Sequence, residues 1–277
     1  MLRNVLLIVF LLGSTLCRAA EVYPARTVRI IVSAAPGGVV DITGRVIAQQ
    51  LTEQAGKSFI VENRTGAGGI VVTGHVAKSA PDGYTLLLAT PGFTIVPGLH
   101  KSLPYDAATD FSPITQISAA TQVFVVPPSL KAHTMQEFVA IAQANPGKLN
   151  YGSGGQGSPL HVYAELFSKA AKVKLVHIPY TGGGGESMTA LMSEAGIPGM
   201  AIYALYGLVG PAEMPRSIVN PLRAEVVKAI AVPSVREKFA AQDAELIGST
   251  PEAFGELIRS ELRRWADIIK SAGITVE

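Results

Sequence analysis

The chain has 277 residues, of which 48% are hydrophobic and 16% are charged, and its formal net charge is +2. This charged fraction is below the usual quarter and favours a folded chain with a sizeable core over a disordered one. The basic residues form no long run, which argues against a nucleic-acid-binding face. By length, the chain forms one large domain or two smaller ones.

The first twenty residues have the pattern of an export signal. Arg3 supplies the positive charge, an apolar run follows over 5–12, and small residues allow cleavage after Ala19. The apolar run is too short to span a bilayer, and the alternative is a buried N-terminal helix. Cleavage would remove Cys17, the only cysteine, so the mature chain could form neither a disulfide nor a Cys-ligated metal site. We predict residues 1–20 to be a signal peptide.

Short apolar runs then alternate with amphipathic stretches. Alternation of strands and helices predicts a parallel sheet with helices on its faces. The predicted strands of the first part are 28–32, 58–62 and 84–89, and the helices between them are 41–55 and 69–79.

The rest of the chain continues this pattern and ends in helices. A capping box of Thr134 and Glu137 opens a helix that reaches 145. Thr250 and Pro251 are typical of the first turn of the last helix. The other predicted elements are strands at 149–152 and 175–178 and helices over 158–171, 186–192, 215–231 and 235–242.

Glycine-rich turns precede several predicted helices, whose starts lie near Asp41, Gly69, Ser158 and Glu186. A helix N-terminus has unpaired N–H groups and a partial positive charge, and glycine lets the backbone approach a ligand. Helix starts that converge beyond the carboxyl ends of the strands would therefore form an anion site from backbone alone. The alternative is that these glycines only serve tight turns.

Two motifs that suggest nucleotide binding are incomplete. The G-x-G-x-x-G pattern at 152–157 lies between a strand and a helix, but residues 171–185 contain no Asp or Glu to bind a ribose. We therefore interpret this loop as a carboxylate clamp. The segment 56–58 resembles the end of a phosphate loop, but Leu51 occupies the position of its first glycine.

Side chains suited to catalysis are sparse. Neither Ser153 nor Ser158 lies in a nucleophile elbow. His161 and Glu165 are one helical turn apart and could bind a metal, but two ligands make a poor site, so a local hydrogen bond of His161 is favoured. Asp41 fits two roles equally, a hydrogen bond to the ligand or a helix-start residue. We predict no catalytic residue, no metal, no cofactor and no enzymatic activity.

A series of short motifs runs in order along nearly the whole mature chain. They are Tyr23-Pro24 with 28–32, Pro36-Gly37-Gly38 with Asp41, 61–64 with 66–69, 80–86, 103–106 with 110–111, 146–149, 157–159 with His161, 177–180, 207–211 and 248–252. This series resembles the tripartite tricarboxylate transporter receptors, also called the Bug family.

The resemblance implies an α/β fold of the type II periplasmic-binding-protein kind, in which two lobes of mainly parallel sheets flanked by helices close on a ligand. Lobe 1 would comprise 21–118 and 200–277, and lobe 2 would comprise 119–199. It implies a periplasmic, monomeric solute-binding protein that captures a small carboxylate, binds no nucleic acid and docks on membrane permease subunits of the transporter. A ligand-binding sensor partner is the alternative, and an α/β enzyme is less favoured.

Recognition in the family relies on backbone N–H groups and ordered water in loops of both lobes. Val39 and Val40 depart from the family's usual glycine or small polar residues, which makes this wall more apolar. Carried over, the ligand-binding positions are Ala35, Pro36, Gly37, Gly38, Val39, Asp41, Thr90, Pro91, Ser153, Gly154, Gln156, Gly157, Ser158, Tyr180, Thr181 and Gly182.

One departure from the family concerns the second lobe. Where the family continues after Leu191-Met192 with a strand, a helix and a second strand, Met192 here runs directly into 193–199, which resembles a segment further downstream. The missing piece is on the order of forty residues, about one strand–helix–strand unit. We expect a truncated second lobe of roughly three strands, with lower stability, an exposed sheet edge and weakened or absent ligand binding.

Overall fold

The computed structural model describes residues 23–122, 124, 126–179 and 203–274. The predicted signal peptide, the predicted helix over 186–192, the junction after Met192 and the ligand positions Tyr180, Thr181 and Gly182 lie outside these residues. Within the described ranges, we find no helix with the length and apolarity that crossing a membrane requires.

Strands and helices alternate through the described residues. The strands are β1 Val28–Val32, β2 Phe59–Asn63, β3 Thr85–Ala89, β4 Phe111–Thr121, β5 Asn150–Ser153, β6 Val176–Pro179, β7 Tyr203–Pro211 and β8 Ala244–Leu246. The α-helices are α1 Val39–Ala55, α2 Ile70–Ala77, α3 Pro91–Leu99, α4 Met135–Ala144, α5 Pro159–Ala170, α6 Arg216–Ala231, α7 Pro233–Ala240 and α8 Pro251–Ala272.

The larger sheet, which with its helices forms the first lobe, has the strand order β2-β1-β3-β7-β4-β8. β1 is parallel to β2 and β3, whereas β7 is antiparallel to β3 and β4, and β8 is antiparallel to β4. The prediction of mainly parallel strands therefore holds only for the N-terminal part, and the sheet is mixed. The reason is that β4 carries the chain out of this sheet and β7 brings it back, so the two run in opposite directions.

Helices cover both faces of the larger sheet. Neighbouring residues of a strand point to opposite faces, so Ile30 packs with α1, α6 and α7, while Ile31 packs with α2, α3 and α8. Leu87 and Leu88 of β3 divide in the same way. Burial on both faces explains why β1 and β3 are almost continuously apolar.

The second lobe contains the parallel pair β5 and β6, together with α4 and α5. Phe124, Phe138 and Phe167 form an aromatic cluster in this lobe, with ring centroids 4.7 to 5.8 Å apart. The helix α5 also packs against α3 and α8 of the first lobe, through a buried cluster that includes Val162 and Trp265. This contact sets the position of the start of α5 relative to the first lobe.

Local sequence signals agree closely with several observed elements. The predicted strand 28–32 is confirmed as β1. The Thr134 side chain accepts a hydrogen bond from the Glu137 N–H at 3.2 Å, so the predicted cap of α4 is confirmed. The Glu137 carboxylate in turn accepts from the N–H of His133, at 2.6 Å, and not from that of Thr134. Our predictions did not include α3, β4, β7 or β8.

Candidate ligand-binding cleft

The N-termini of α2, α3 and α5 meet around Gly92. A Cβ placed on Gly92 would lie 3.6 Å from Thr90 Oγ1, 3.8 Å from Pro159 Cγ and 4.0 Å from the carbonyl oxygen of Gly68. Thr90 precedes α3, Pro159 begins α5, and Gly68 lies in the turn before α2. Because α2 and α3 pack on the larger sheet and α5 follows β5 of the smaller sheet, elements associated with both sheets come together at this point.

The loop that follows β1 joins this group at Ser33. A Cβ placed on Gly69 would lie only 3.1 Å from Ser33 Cβ, and Gly69 has a φ of +88°, which favours glycine. Gly69 is the N-cap of α2, so the loop over 33–38 and the start of α2 touch. The loop leads directly into α1, and its first residue, Ser33, lies next to the start of α2.

A small cavity lies between the loop after β1, the end of β3 and the starts of α2 and α3. Its lining includes the polar residues Ser33, Thr73, Thr90 and Tyr105, and its volume is about 10 Å³. A polar space of this size is close to the minimum that holds one water molecule. Burial raises the pKa of Tyr105 to about 12, although its hydrogen bond with Thr73 opposes this, so the hydroxyl is protonated at neutral pH.

The first turns of α1, α2 and α3 present backbone N–H groups. Among the described residues, no side chain of the N-caps Gly38, Gly69 and Thr90 forms a capping hydrogen bond. Such N-termini carry a partial positive charge and attract anions. Because α6 and α7 also begin without a side-chain cap, convergence in one place, and not the missing cap, distinguishes the helix starts at this cleft.

Asp41 holds the loop before α1 in place. Its buried carboxylate, 3% exposed as a residue, accepts hydrogen bonds from the Gly37 N–H at 2.9 Å, from Arg45 Nε at 2.9 Å and from Asn63 Nδ2 at 2.8 Å. Asn63 Nδ2 also donates to the Ala34 carbonyl. Burial alone would raise the pKa of Asp41, but these three donors outweigh it and hold the pKa below its ordinary value. Its contacts are those of a helix-start residue, and contact with a ligand stays a prediction.

Two histidines support the second-lobe loop over 153–158. The Gly157 N–H donates to His161 Nδ1 at 3.1 Å, and Ser153 Oγ lies 2.6 Å from His177 Nε2. The two imidazole rings stack with centroids 4.2 Å apart and an interplanar angle of 20°. The predicted local hydrogen bond of His161 is confirmed.

Glu165 has a partner other than His161. The Tyr151 hydroxyl donates to Glu165 Oε1 at 2.5 Å, and burial, reinforced by this carboxylate, raises the pKa of Tyr151. Within the described residues, no group of three or more His, Cys, Asp and Glu side chains is arranged to hold a metal ion.

The predicted binding positions that the structure describes lie at the starts of three helices. The first-lobe positions 35–39 and Asp41 lie at the start of α1, Thr90 and Pro91 lie at the start of α3, and 153–158 lead into α5. Sequence reasoning did not include Ser33, Gly92 and Tyr105, which line or adjoin the same cleft. The dipeptide Pro91-Gly92 was the available signal for the start of α3.

Solved structures identify the class of protein. A periplasmic transporter protein, 30% identical, superimposes with a TM-score of 0.85 over 92% of this chain and 100% of that chain. An R. palustris protein solved with adipate, 27% identical, gives a TM-score of 0.84 over 91% and 99% of the two chains. The fold is therefore that of the two-lobed periplasmic solute-binding proteins.

Sequence comparison identifies the family. A UPF0065 protein of Pseudomonas sp. (strain P51) is 29% identical, over 93% of this chain and 89% of its own length. The family model described as "Tripartite tricarboxylate transporter family receptor" matches residues 43–194, more than half of the chain. The protein belongs to this receptor family, and both its family and its fold are those of solute-binding receptors.

The alignment with this relative also contains positions that have no counterpart in this chain. The alignment with the Pseudomonas protein extends over 300 positions but includes 93% of the 277 residues, or about 258 residues. The difference of about 42 positions has no counterpart in this chain. The region matched by the family model ends at 194, close to Met192.

Proposed function

We propose that this protein is a periplasmic receptor that holds a small carboxylate between its lobes and presents it to the membrane subunits of a tripartite tricarboxylate transporter. The observation that carries the proposal is the meeting of the N-termini of α2, α3 and α5 at Gly92. Several helix N-termini aimed at one place stabilise an anion without any cationic side chain.

We retain the division into lobe 1, residues 21–118 and 200–277, and lobe 2, residues 119–199, as part of the proposal. The border at 118 falls within β4, whose pairing with β7 continues to Thr121. A border inside paired strands is consistent with lobes that pivot about β4 and β7.

Two glycines support the proposal that the ligand lies close to the backbone. Gly38 has an ordinary φ of −82°, and a Cβ there would come no closer than 4.0 Å to the Ala35 carbonyl oxygen. A Cβ on Gly154 would come no closer than 3.9 Å to Ser158. Because neither conformation nor packing against the described residues requires glycine at these positions, its use fits a bound group that lies against the backbone.

The residues beside the helix starts favour a ligand with an aliphatic body. Val39 and Ile42 in the first turns of α1 are each 40% exposed, and Leu160 in the first turn of α5 is 39% exposed. Adipate, with which the R. palustris protein was solved, combines two carboxylates with an apolar chain. We therefore propose that the ligand is an aliphatic mono- or dicarboxylate.

A ligand titration with matched glycine variants tests the proposal. We expect adipate, but not its uncharged diamide, to raise the melting temperature of the mature chain. Gly38→Ala and Gly154→Ala should melt at the wild-type temperature without ligand and should bind adipate about tenfold more weakly, the factor that 1.4 kcal/mol represents. Equal stabilisation by the diamide, or unchanged affinity in both variants, would contradict the proposal.

We further propose that the missing stretch lies next to Met192 and weakens ligand binding. The alignment gap of about 42 positions and the end of the family match at 194 support this placement. A chimera that carries the corresponding stretch of the Pseudomonas protein after Met192 tests it. We expect the chimera to melt at a higher temperature and to bind adipate more tightly than the natural chain. A chimera of unchanged stability and affinity would contradict this part of the proposal.

A further inference from the structure

The support beneath the loop over 153–158 is a stack of three rings. Tyr151 lies against His177 with centroids 5.0 Å apart and an interplanar angle of 21°, and His177 lies against His161 at 4.2 Å. His161 is 5% exposed. The loop is joined to this stack by its first residue, Ser153, and by Gly157 near its end.

The hydrogen bond at Gly157 requires one protonation state of His161. A backbone N–H can only donate, so His161 Nδ1 must accept through its lone pair, and the ring must be neutral with its proton on Nε2. Addition of a proton to Nδ1 would place two N–H groups opposite each other. This bond is therefore lost when His161 becomes charged.

The second bond to the stack does not depend on charge in this way. Ser153 Oγ donates to the Gly155 carbonyl at 3.1 Å and accepts from the Gly155 N–H at 3.2 Å. A hydroxyl oxygen can also accept from His177 Nε2, whether that ring is neutral or charged. The hydrogen bond that protonation breaks is therefore the one between His161 and Gly157.

Burial and the neighbouring His177 favour the neutral form of His161. Burial lowers the pKa of His161 most, the adjacent His177 lowers it further, and Glu165 acts in the opposite direction. Burial likewise lowers the pKa of His177 against the influence of Glu165. Glu165 is itself bound by the Tyr151 hydroxyl.

The elements packed around α5 supply few other charges. Among the described residues, α3 contains no ionisable side chain, and Glu137 of α4 is bound to the His133 N–H. Glu261 and Arg264 of α8 face Tyr163 on α5 and alter the pKa of that residue. The neutral state of His161 is thus set mainly by burial and by His177.

We propose that His161 is a positioning residue that shapes the loop over 153–158 for carboxylate capture only while it is neutral, so that ligand affinity falls as the pH falls. This inference rests on the proposed function, because it assumes that the loop contacts the carboxylate. His161 acts through Gly157 and need not touch the ligand.

Two substitutions separate the acceptor role from the charge. In His161→Asn, a side-chain oxygen replaces Nδ1 as an acceptor that does not titrate, whereas His161→Leu removes the acceptor and keeps an apolar side chain. We expect the adipate affinity of the wild type to fall between pH 7.5 and 5.5, toward the limit of about tenfold that a one-unit pKa difference between free and bound protein sets at lower pH. The His161→Asn variant should bind adipate nearly equally well at both pH values, and the His161→Leu variant should bind it weakly at both pH values. Protonation of adipate itself affects all three proteins alike.

Nuclear magnetic resonance of the ligand-free protein supplies an independent readout. We expect the ring nitrogen shifts to identify the Nε2-protonated form of His161 at pH 7.5, and the Gly157 amide resonance to move as His161 titrates. A Gly157 amide that does not follow His161, or an Asn variant that keeps the wild-type pH dependence, would overturn the inference. Absence of adipate binding to the wild type at pH 7.5 would instead contradict the proposed function.

Discussion

Tyr163 of α5 packs against Trp265 of α8, with ring centroids 5.6 Å apart and an interplanar angle of 36°. Both side chains are buried in a cluster that also contains Ile95 of α3. The contact joins the second lobe to the first, on the helix whose N-terminus faces the cleft. It therefore determines where the start of α5 lies relative to the starts of α2 and α3.

The hydroxyl of Tyr163 contributes no hydrogen bond to this contact within the described part of the chain, although it is buried. We expect Tyr163→Phe to leave the free energy of unfolding unchanged or to raise it, because an unpaired buried polar group is removed. Tyr163→Ala should lower it by about 3–5 kcal/mol through loss of the ring. Urea unfolding measures both effects.

Tyr23 offers the matched control, since its hydroxyl donates to the Gly83 carbonyl at 2.7 Å. Tyr23→Phe should lower the free energy of unfolding by about 0.5–1.5 kcal/mol. Equal losses in the two phenylalanine variants would show that the Tyr163 hydroxyl has a partner.

Gly207 in β7 is expected to tolerate no side chain. A Cβ there would lie 2.3 Å from Phe254 Cζ and 2.7 Å from the Thr115 carbonyl oxygen. Gly207→Ala should therefore lower the free energy of unfolding by about 1–3 kcal/mol or more through overpacking. Gly154→Ala, whose Cβ has no such neighbour, serves as the control in the same urea experiment. A Gly207→Ala protein as stable as the control would contradict the close approach of β7 to α8.

Asp41 should contribute to stability through the loop before α1. Asp41→Asn keeps the shape of the side chain but replaces a carboxylate that accepts from three donors. We expect the free energy of unfolding to fall by about 1.5–3 kcal/mol. The control is Glu256→Gln, which alters exposed ion pairs with Arg259 and Arg263 and should leave the urea midpoint unchanged. Similar midpoints for the two variants would argue against this role of Asp41.

Stability should decrease in mild acid because of the stacked histidines. The pKa values of His161 and His177 are lowered in the folded protein, so the unfolded chain binds more protons near the ordinary histidine pKa of about 6.5. Their contribution is present above that pH and is lost as the pH falls through the lower folded-state values. We expect the urea midpoint of the wild type to fall from pH 7.5 to pH 5, and that of His161→Asn to fall less. The pKa of Asp41 is also lowered, so its effect on stability occurs at a more acidic pH, below the ordinary aspartate pKa of about 3.9. A wild-type midpoint that is flat across this range would refute the prediction.

Elements with strong local signals were predicted well, and those with weak signals were missed. β1 and β3 are short apolar runs, and α8 begins at a threonine cap whose side chain accepts from the Ala253 N–H. The helix α3 was missed because Gly92, Pro97 and Gly98 give it poor intrinsic helix propensity. Packing against α8 compensates for this poor propensity. The two helices approach so closely that a Cβ at Gly98 would come within 2.8 Å of Ile269.

The amino-acid sequence by itself determined the alternation of strands and helices, the helix caps, the glycine-rich turns and the family, because these depend on residues that are near one another in the chain or on their order. Only the tertiary structure decided that Ser33, Gly69, Gly92 and Pro159 gather at one cleft, that β7 returns antiparallel, and that His161 stacks on His177. These relationships join residues distant in sequence, and they depend on how buried apolar faces pack together, which no local pattern of residues specifies.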